Sequence, residues 1–203
     1  MRHLFPIPWH RKYHRGMVCP PHPVLSRNFC FFWQVYHTLK NQEPTLIQGW
    51  IPPMKTLIVY ASVHHQNTEK VAKMMAEELE ADLVPTMKAQ PGMLAAYDLV
   101  GFGSGIYFGK HHKTLLQFVE TLPAVTGKQV FVFSTSGDGK IKHHAALKEK
   151  LVNRGFAIVD EFCCKGWDTV GPLKLFGGIN KGRPDENDLA AARAFAQGLK
   201  NKM

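Results

Sequence analysis

Residues 56–72 read Thr-Leu-Ile-Val-Tyr-Ala-Ser-Val-His-His-Gln-Asn-Thr-Glu-Lys-Val-Ala, and this stretch constrains the fold more than any other. An apolar run, 57–60, stops at a polar turn, 62–68, and a helical pattern begins at once. Strand, polar turn and helix start together aim backbone N–H groups at an anion, because the first turn of a helix leaves its N–H groups unpaired and its dipole favours negative charge. The turn lacks Gly-x-x-x-x-Gly-Lys and Gly-x-Gly-x-x-Gly, so it is neither a nucleoside triphosphate loop nor a dinucleotide fingerprint. A smaller phosphorylated ligand remains.

The alternation continues to the end of the chain. Strands are expected at 55–60, 82–85, 97–102, 128–133 and 156–163, and helices at 68–80, 113–122, 141–153 and 186–200. Val71, Met74, Met75 and Leu79 form the inward stripe of the first helix, and Leu115, Leu116, Phe118 and Val119 that of the second. The strands are largely apolar without alternation, which means a parallel sheet covered on both faces.

Residues 1–53 read differently. They are rich in Pro, His, Arg and aromatics, show no sustained period, and carry six Lys/Arg against one acid, a net +5 of the chain's +9. They are expected to lie outside the domain, either as translated sequence upstream of a start at Met54 or as a basic extension. Residues 54–203 then form the domain. No Lys/Arg run of five or more occurs, so nucleic-acid binding is not expected. No segment approaches the roughly 18 apolar residues of a membrane helix, so no membrane span is expected. Four cysteines (Cys19, Cys30, Cys163, Cys164) form neither a metal spacing nor a disulfide framework, and a reducing cytoplasm is the expected location.

Ligands of such sheets bind beyond the strand C-termini, where three loops converge. The first is 62–68. The second is Ser104-Gly-Ile-Tyr-Phe-Gly-Lys110, with Gly105 and Gly109 allowing close approach and Tyr107 and Phe108, beside Ile106, suited to covering a flat ring. The third is Ser134-Thr-Ser-Gly-Asp-Gly139, offering Ser134, Thr135, Ser136, Gly137 and Gly139. Trp167 follows the fifth strand and reaches the same rim. Flavin mononucleotide (FMN) is the expected ligand. No metal site is expected.

From Met54 onward the chain resembles the flavodoxin-like proteins of the short type, over about three quarters of its length. Tyr60, Ser62, Thr68 and Ala72 fall on the family's first-loop signature. The loop is one residue longer than in minimal flavodoxins, Gln66 stands where a Gly is usual, and His64 and His65 take positions often held by hydroxyl residues. The longer loop, and the run from Tyr97 to His112, are similar to the flavodoxin-like protoporphyrinogen oxidase branch. The resemblance implies a doubly wound five-stranded parallel sheet in three α/β/α layers. It implies that Ser62, His64, Gln66, Asn67 and Thr68 hold the phosphate, that Tyr107 and Phe108 flank the isoalloxazine ring, and that residues 134–139 approach its polar edge.

Three functions follow from these readings. The chain is expected to be an FMN electron carrier, working with a redox partner protein or a small organic electron acceptor, with a homodimer as one possible assembly. An FMN oxidoreductase acting on a quinone or porphyrinogen is the alternative, favoured by a basic domain where family carriers are generally acidic at their docking face. A flavin-free binding module is the third, resting on Gln66 alone. No nucleophile–base pair is identified, so no catalytic residue is assigned.

Two further patterns carry expectations. Beyond residue 53 every histidine lies in a pair (His64-His65, His111-His112, His143-His144), each in or after a ligand loop. They are either polar loop residues or a ring at one mouth that turns cationic below about pH 6.5. The aperiodic connection 166–184 is expected to pack down through Leu173, Leu175, Phe176 and Ile179, with Lys181 and Arg183 available to an anion.

Overall fold

The computed structural model describes residues 54–202, and the side chains of all of these but 172–174. The expectations for residues 1–53 lie outside the described residues. Five parallel strands, β1 (Thr56–Ala61), β2 (Asp82–Pro85), β3 (Leu99–Tyr107), β5 (Gln129–Ser136) and β6 (Ala157–Lys165), pair in the order β2-β1-β3-β5-β6. A two-residue β4 (Lys110–His111) folds back antiparallel on β3. Helices α1 (Asn67–Leu79), α2 (Lys113–Thr121), α3 (Ala145–Asn153) and α4 (Glu186–Lys202) follow β1, β4, β5 and β6 in the chain. The chain steps outward from β1 to β2, then crosses to β3 on the other side. That reversal is the switch point at which sheets of this kind bind ligands. Among the described residues no helix is long and apolar enough to cross a membrane.

Successive strand residues face opposite sides, so one apolar strand feeds two cores. Leu57, Val59, Val100, Phe102, Val130 and Val132 pack against α2 and α3 through Leu115, Val119, Leu147 and Leu151. Ile58, Leu99, Phe131 and Phe133 pack against α1 and α4 through Val71, Met75, Leu79, Ala196 and Leu199. Met74 and Leu116, expected on the inward stripes, are only partly buried at the margins of these cores.

The structure departs from the sequence reading where hydroxyl residues are buried. β3 and β5 run on to Tyr107 and Ser136, with Ser104 opposite Ser134 and Gly105 opposite Thr135. The second and third loops therefore begin as sheet. An apolar cutoff misses this because Ser104, Ser134 and Thr135 are buried with hydrogen-bond partners. The β4 hairpin and a 3₁₀ turn at Pro91–Ala96 were also not expected, and the third helix opens as a 3₁₀ turn, Ile141–His144, before α3.

The two central strands interlock through glycine. Gly101 and Gly103 sit opposite Phe131 and Phe133, whose rings come to 2.3 and 2.1 Å from where a Cβ would stand. A methyl fixed to the backbone cannot rotate away, so the ring must leave its place in the core. Gly103→Ala is expected to cost about 1–3 kcal/mol, read as a lower urea midpoint; an unchanged midpoint would show that the rings are free to shift.

Candidate functional site

At the C-terminal end of β1 the chain enters α1 through His65 and Gln66, both left-handed (φ 54° and 55°). This conformation costs an L-residue roughly 1–2 kcal/mol and is usual for glycine, which is why Gln66 stands out in the sequence. Gln66 is the N-cap but makes no side-chain cap bond. Ser62 Oγ accepts from the Glu69 N–H at 3.3 Å. Asn67 is buried, its Nδ2 donating to the Trp167 carbonyl at 2.8 Å, while its Oδ1 has no partner. Thr68 Oγ1 lies 2.8 Å from Thr135 Oγ1, both buried, which stitches the first loop to the end of β5.

The hairpin after β3 supplies Gly105, Ile106 and Tyr107. The Tyr107 ring stands near His64 (6.0 Å between centroids) and edge-on to His112 (5.1 Å). Burial holds its phenol above the ordinary value, the Asp168 charge adds to this, and a hydrogen bond from the His64 backbone opposes it. Beyond β5, Ser136 Oγ donates to Asp138 and accepts from the Gly139 N–H, fixing the third loop. Beyond β6, Trp167 stacks on His65 at 3.8 Å, and His65 Nε2 lies 2.9 Å from Thr169 Oγ1. The long connection is pinned by the Asp168–Ile179 bridge and by Asn180 Nδ2 donating to the Gly137 carbonyl at 2.7 Å.

These elements enclose one cleft. His64, Asn67, Gly105, Ile106, Tyr107, Thr135, Ser136, Gly137 and Trp167, all expected from sequence, line it together with Gly166, Asp168, Thr169 and Val170. Those last four carried no motif and were legible only as part of a long connection. Ser62 lines a separate hollow with Tyr60, Thr86 and His112. Gln66 and Gly109 are exposed beside the cleft, and Gly139 lies against Lys165. Phe108 is 97% exposed at the hairpin tip. Arg183 is engaged by Asp185 and Asp188. Leu175 and Phe176 are 85% and 86% exposed, so they are not packed down as expected. Ile179 reaches the cleft wall, its Cδ1 lying 3.0 Å from where a Gly137 Cβ would stand.

Residues 57–166 match the flavodoxin domain family. The chain belongs to the flavodoxin family. It is 51% identical over 148 residues to an uncharacterized protein of Methanocaldococcus jannaschii, an alignment spanning 72% of this chain and 98% of that one. In fold it is similar to oxidised flavodoxin 2 from Bacillus cereus (TM-score 0.57, 23% identity, covering 73% of this chain and 99% of the other). It is likewise similar to a flavodoxin from the domain Archaea (TM-score 0.52, 16% identity, covering 73% and 98%).

Flavodoxins are flavin proteins, and the cleft of this member suits a flavin. A helix start without a side-chain cap offers backbone N–H donors at one end, and the buried Asn67 Oδ1 without a partner is free to accept from a donor of the ligand. Glycines form the walls, where a Cβ on Gly137 would meet Asp168 at 2.9 Å and one on Gly166 would meet Asn67 at 2.8 Å.

The histidine pairs do not form a single ring at the mouth. Adjacent side chains point in different directions, in the 3₁₀ turn at His143-His144 as at the end of β4, so each of the later pairs splits. His111 and His144 go inward, both buried, their rings 5.1 Å apart. Ser104 Oγ–H donates to the Gly105 carbonyl, so His111 Nδ1 is the donor to Ser104 at 2.9 Å, and its unprotonated Nε2 is left without a partner. His144 Nδ1 meets Glu161 at 2.9 Å and its Nε2 meets Ser134 Oγ at 2.8 Å. Serine, histidine and carboxylate are ordered here as in an acyl-transfer triad, but Ser134 is fully buried and has no access to substrate. Of the outward members, His112 caps α2 by accepting from the Thr114 N–H, and His143 pairs with Asp138.

Burial first, then the His144 and His143 charges, push His111 down from 6.5 to about 3, and burial also lowers His144 in spite of Glu161. The folded state therefore keeps this layer neutral at neutral pH. Its contribution is complete above pH 6.5 and is lost as pH falls from 6.5 towards 3, because only the unfolded chain takes up the proton. His111 alone is expected to give a slope of about 1.4 kcal/mol per pH unit in that window. Urea unfolding between about pH 7 and 4.5 should show a shallower slope for His111→Asn; an identical slope would contradict the assignment.

Proposed function

We propose that the chain binds FMN in this cleft and carries electrons between redox partners. The observation that supports this most is the meeting, at the β1/β3 switch point, of a helix start without a side-chain cap and two glycine-lined strand ends. The first turn of α1, at Asn67 and Thr68, would hold the phosphate, with Ser62, His64 and Gln66 shaping the turn. Gly105, Ile106 and Tyr107 on one side and Trp167 on the other would hold the ring, and residues 135–137 would face its polar edge. Bound FMN supplies reversible one- and two-electron chemistry. The protein contributes fixed walls, and burial raises the Tyr107 phenol above its ordinary value.

Gln66 does not argue for loss of flavin. It already has the backbone conformation that glycine would take, so the loop path is kept at a local cost. A reducing cytoplasm fits the free thiols of Cys163 and Cys164, the latter pushed up to about 12 by burial and so unreactive.

Fluorescence titration with FMN and with riboflavin tests this reading. Two charge-assisted hydrogen bonds to phosphate amount to about 3 kcal/mol, so FMN is expected to bind about 100-fold more tightly. Equal affinities would remove the phosphate role of the α1 turn, and no binding of either would refute the flavin reading.

A further inference from the structure

We infer that the rim of the cleft is a docking surface for an acidic redox protein. This deepens the electron-carrier reading and rests on it. Two features of the rim carry it, one of charge and one of apolar exposure.

Lys110, Lys140, Lys142, Lys165 and Lys181 are all exposed at the C-terminal end of the sheet. The contacts of their neighbours place them there. Gly109, next to Lys110, faces His143 at 3.8 Å from its Cβ position, and Gly139 lies against Lys165. Asn180, next to Lys181, is bonded to the Gly137 and Gly166 carbonyls. Among the described residues, none of these lysines but Lys140 has a carboxylate within ion-pair distance, and Lys140 is 4.0 Å from an Asp138 already held by His143. Elsewhere Lys73 is matched by Glu69, Lys148 by Glu161, Lys150 by Glu120, Lys200 by Glu78 and Lys202 by Asp160, whereas Lys55, Lys70, Lys88, Lys113 and Lys128 have no carboxylate within ion-pair distance among the described residues. Around the cleft, then, five exposed lysines stand against two carboxylates, Asp138 and Asp168.

The same edge exposes large apolar side chains. Phe108 is 97%, Phe176 86%, Leu175 85% and Ile141 49% exposed. Phe108 also sits at φ 49°, a conformation unfavourable for a bulky residue. Apolar projections among cations fit the anatomy of a protein interface, in which apolar contacts hold and charge steers. Under the carrier reading the ring exchanges electrons at this mouth, so the partner must seat here. The matching partner is negatively charged around its own redox centre and apolar at the middle, the reverse of the polarity expected for carriers that are acidic at their docking face.

Stopped-flow and titration of the full chain with a strongly acidic [2Fe–2S] ferredoxin test this, with the same ferredoxin after carboxylate amidation, cytochrome c, duplex DNA and phosphatidylserine vesicles as controls. Association with the acidic ferredoxin is expected to slow about 100-fold between low and high salt, and to slow about tenfold more at low salt in the K110E/K142E variant. Flavin content, read from the visible spectrum of the same samples, is expected to stay constant. Absence of association, salt-independent association, equal binding of amidated ferredoxin or cytochrome c, or binding to DNA or vesicles in place of ferredoxin each overturns the inference. A flavin-loaded chain that does not dock sinks this inference alone, whereas a flavin-free chain that docks supports the surface and sinks the carrier reading.

Discussion

The cleft depends on Ser104 and Ser134 standing side by side on β3 and β5 with their hydroxyls turned inward. Each finds a buried histidine, His111 for Ser104 and His144 for Ser134. Ser104 Oγ also accepts from the His112 N–H, so one hydroxyl fixes the return strand of the hairpin and the start of α2. An unmade hydrogen bond in such a place costs about 1–3 kcal/mol, enough to hold the strands in sheet beyond the apolar core. Strand geometry thereby extends to Tyr107 and Ser136, and the cleft walls inherit it. Glu161, bonded to His144, joins β6 to the same layer. The next residues along the two strands, Gly105 and Thr135, line the cleft.

The opposite wall holds two strained residues in a row. His65 and Gln66 are left-handed in succession, and the bonds that hold them there come from neighbours. Asn67 reaches the Trp167 carbonyl, Thr68 meets Thr135, and His65 stacks on Trp167. Three elements far apart in sequence thus fix one short turn. Strained backbone held by its surroundings is characteristic of ligand sites, and here it lies where the first helical turn opens into the cleft.

The architecture was legible because continuous apolar strands and 3.6-period helices say the same thing at every step. The run 57–60, the stripe Val71, Met75 and Leu79, and the strand at 82–85 required nothing beyond local pattern. Nine of the residues lining the cleft were legible because ligand loops follow strand C-termini. What failed did so for physical reasons. Ser104 and Ser134 look like loop residues, since sequence does not show that a histidine will satisfy them. The histidine pairs look like one surface feature, yet adjacent side chains diverge. Leu175 and Phe176 look like core, because hydrophobicity records what a side chain prefers and not whether a partner for it lies within the same chain. Gly166, Asp168 and Thr169 are placed by the bridge to Ile179, a long-range contact with no local signature.

Amide shift mapping on the isotopically labelled chain, with FMN added stepwise, tests the central claim most directly. The account requires the largest shifts at Asn67, Thr68, Gly105, Ile106, Ser136, Gly137 and Trp167, with those of the hollow formed by Tyr60, Pro85 and Thr86 little changed. Shifts concentrated in that hollow, or spread without focus over the surface, would contradict it.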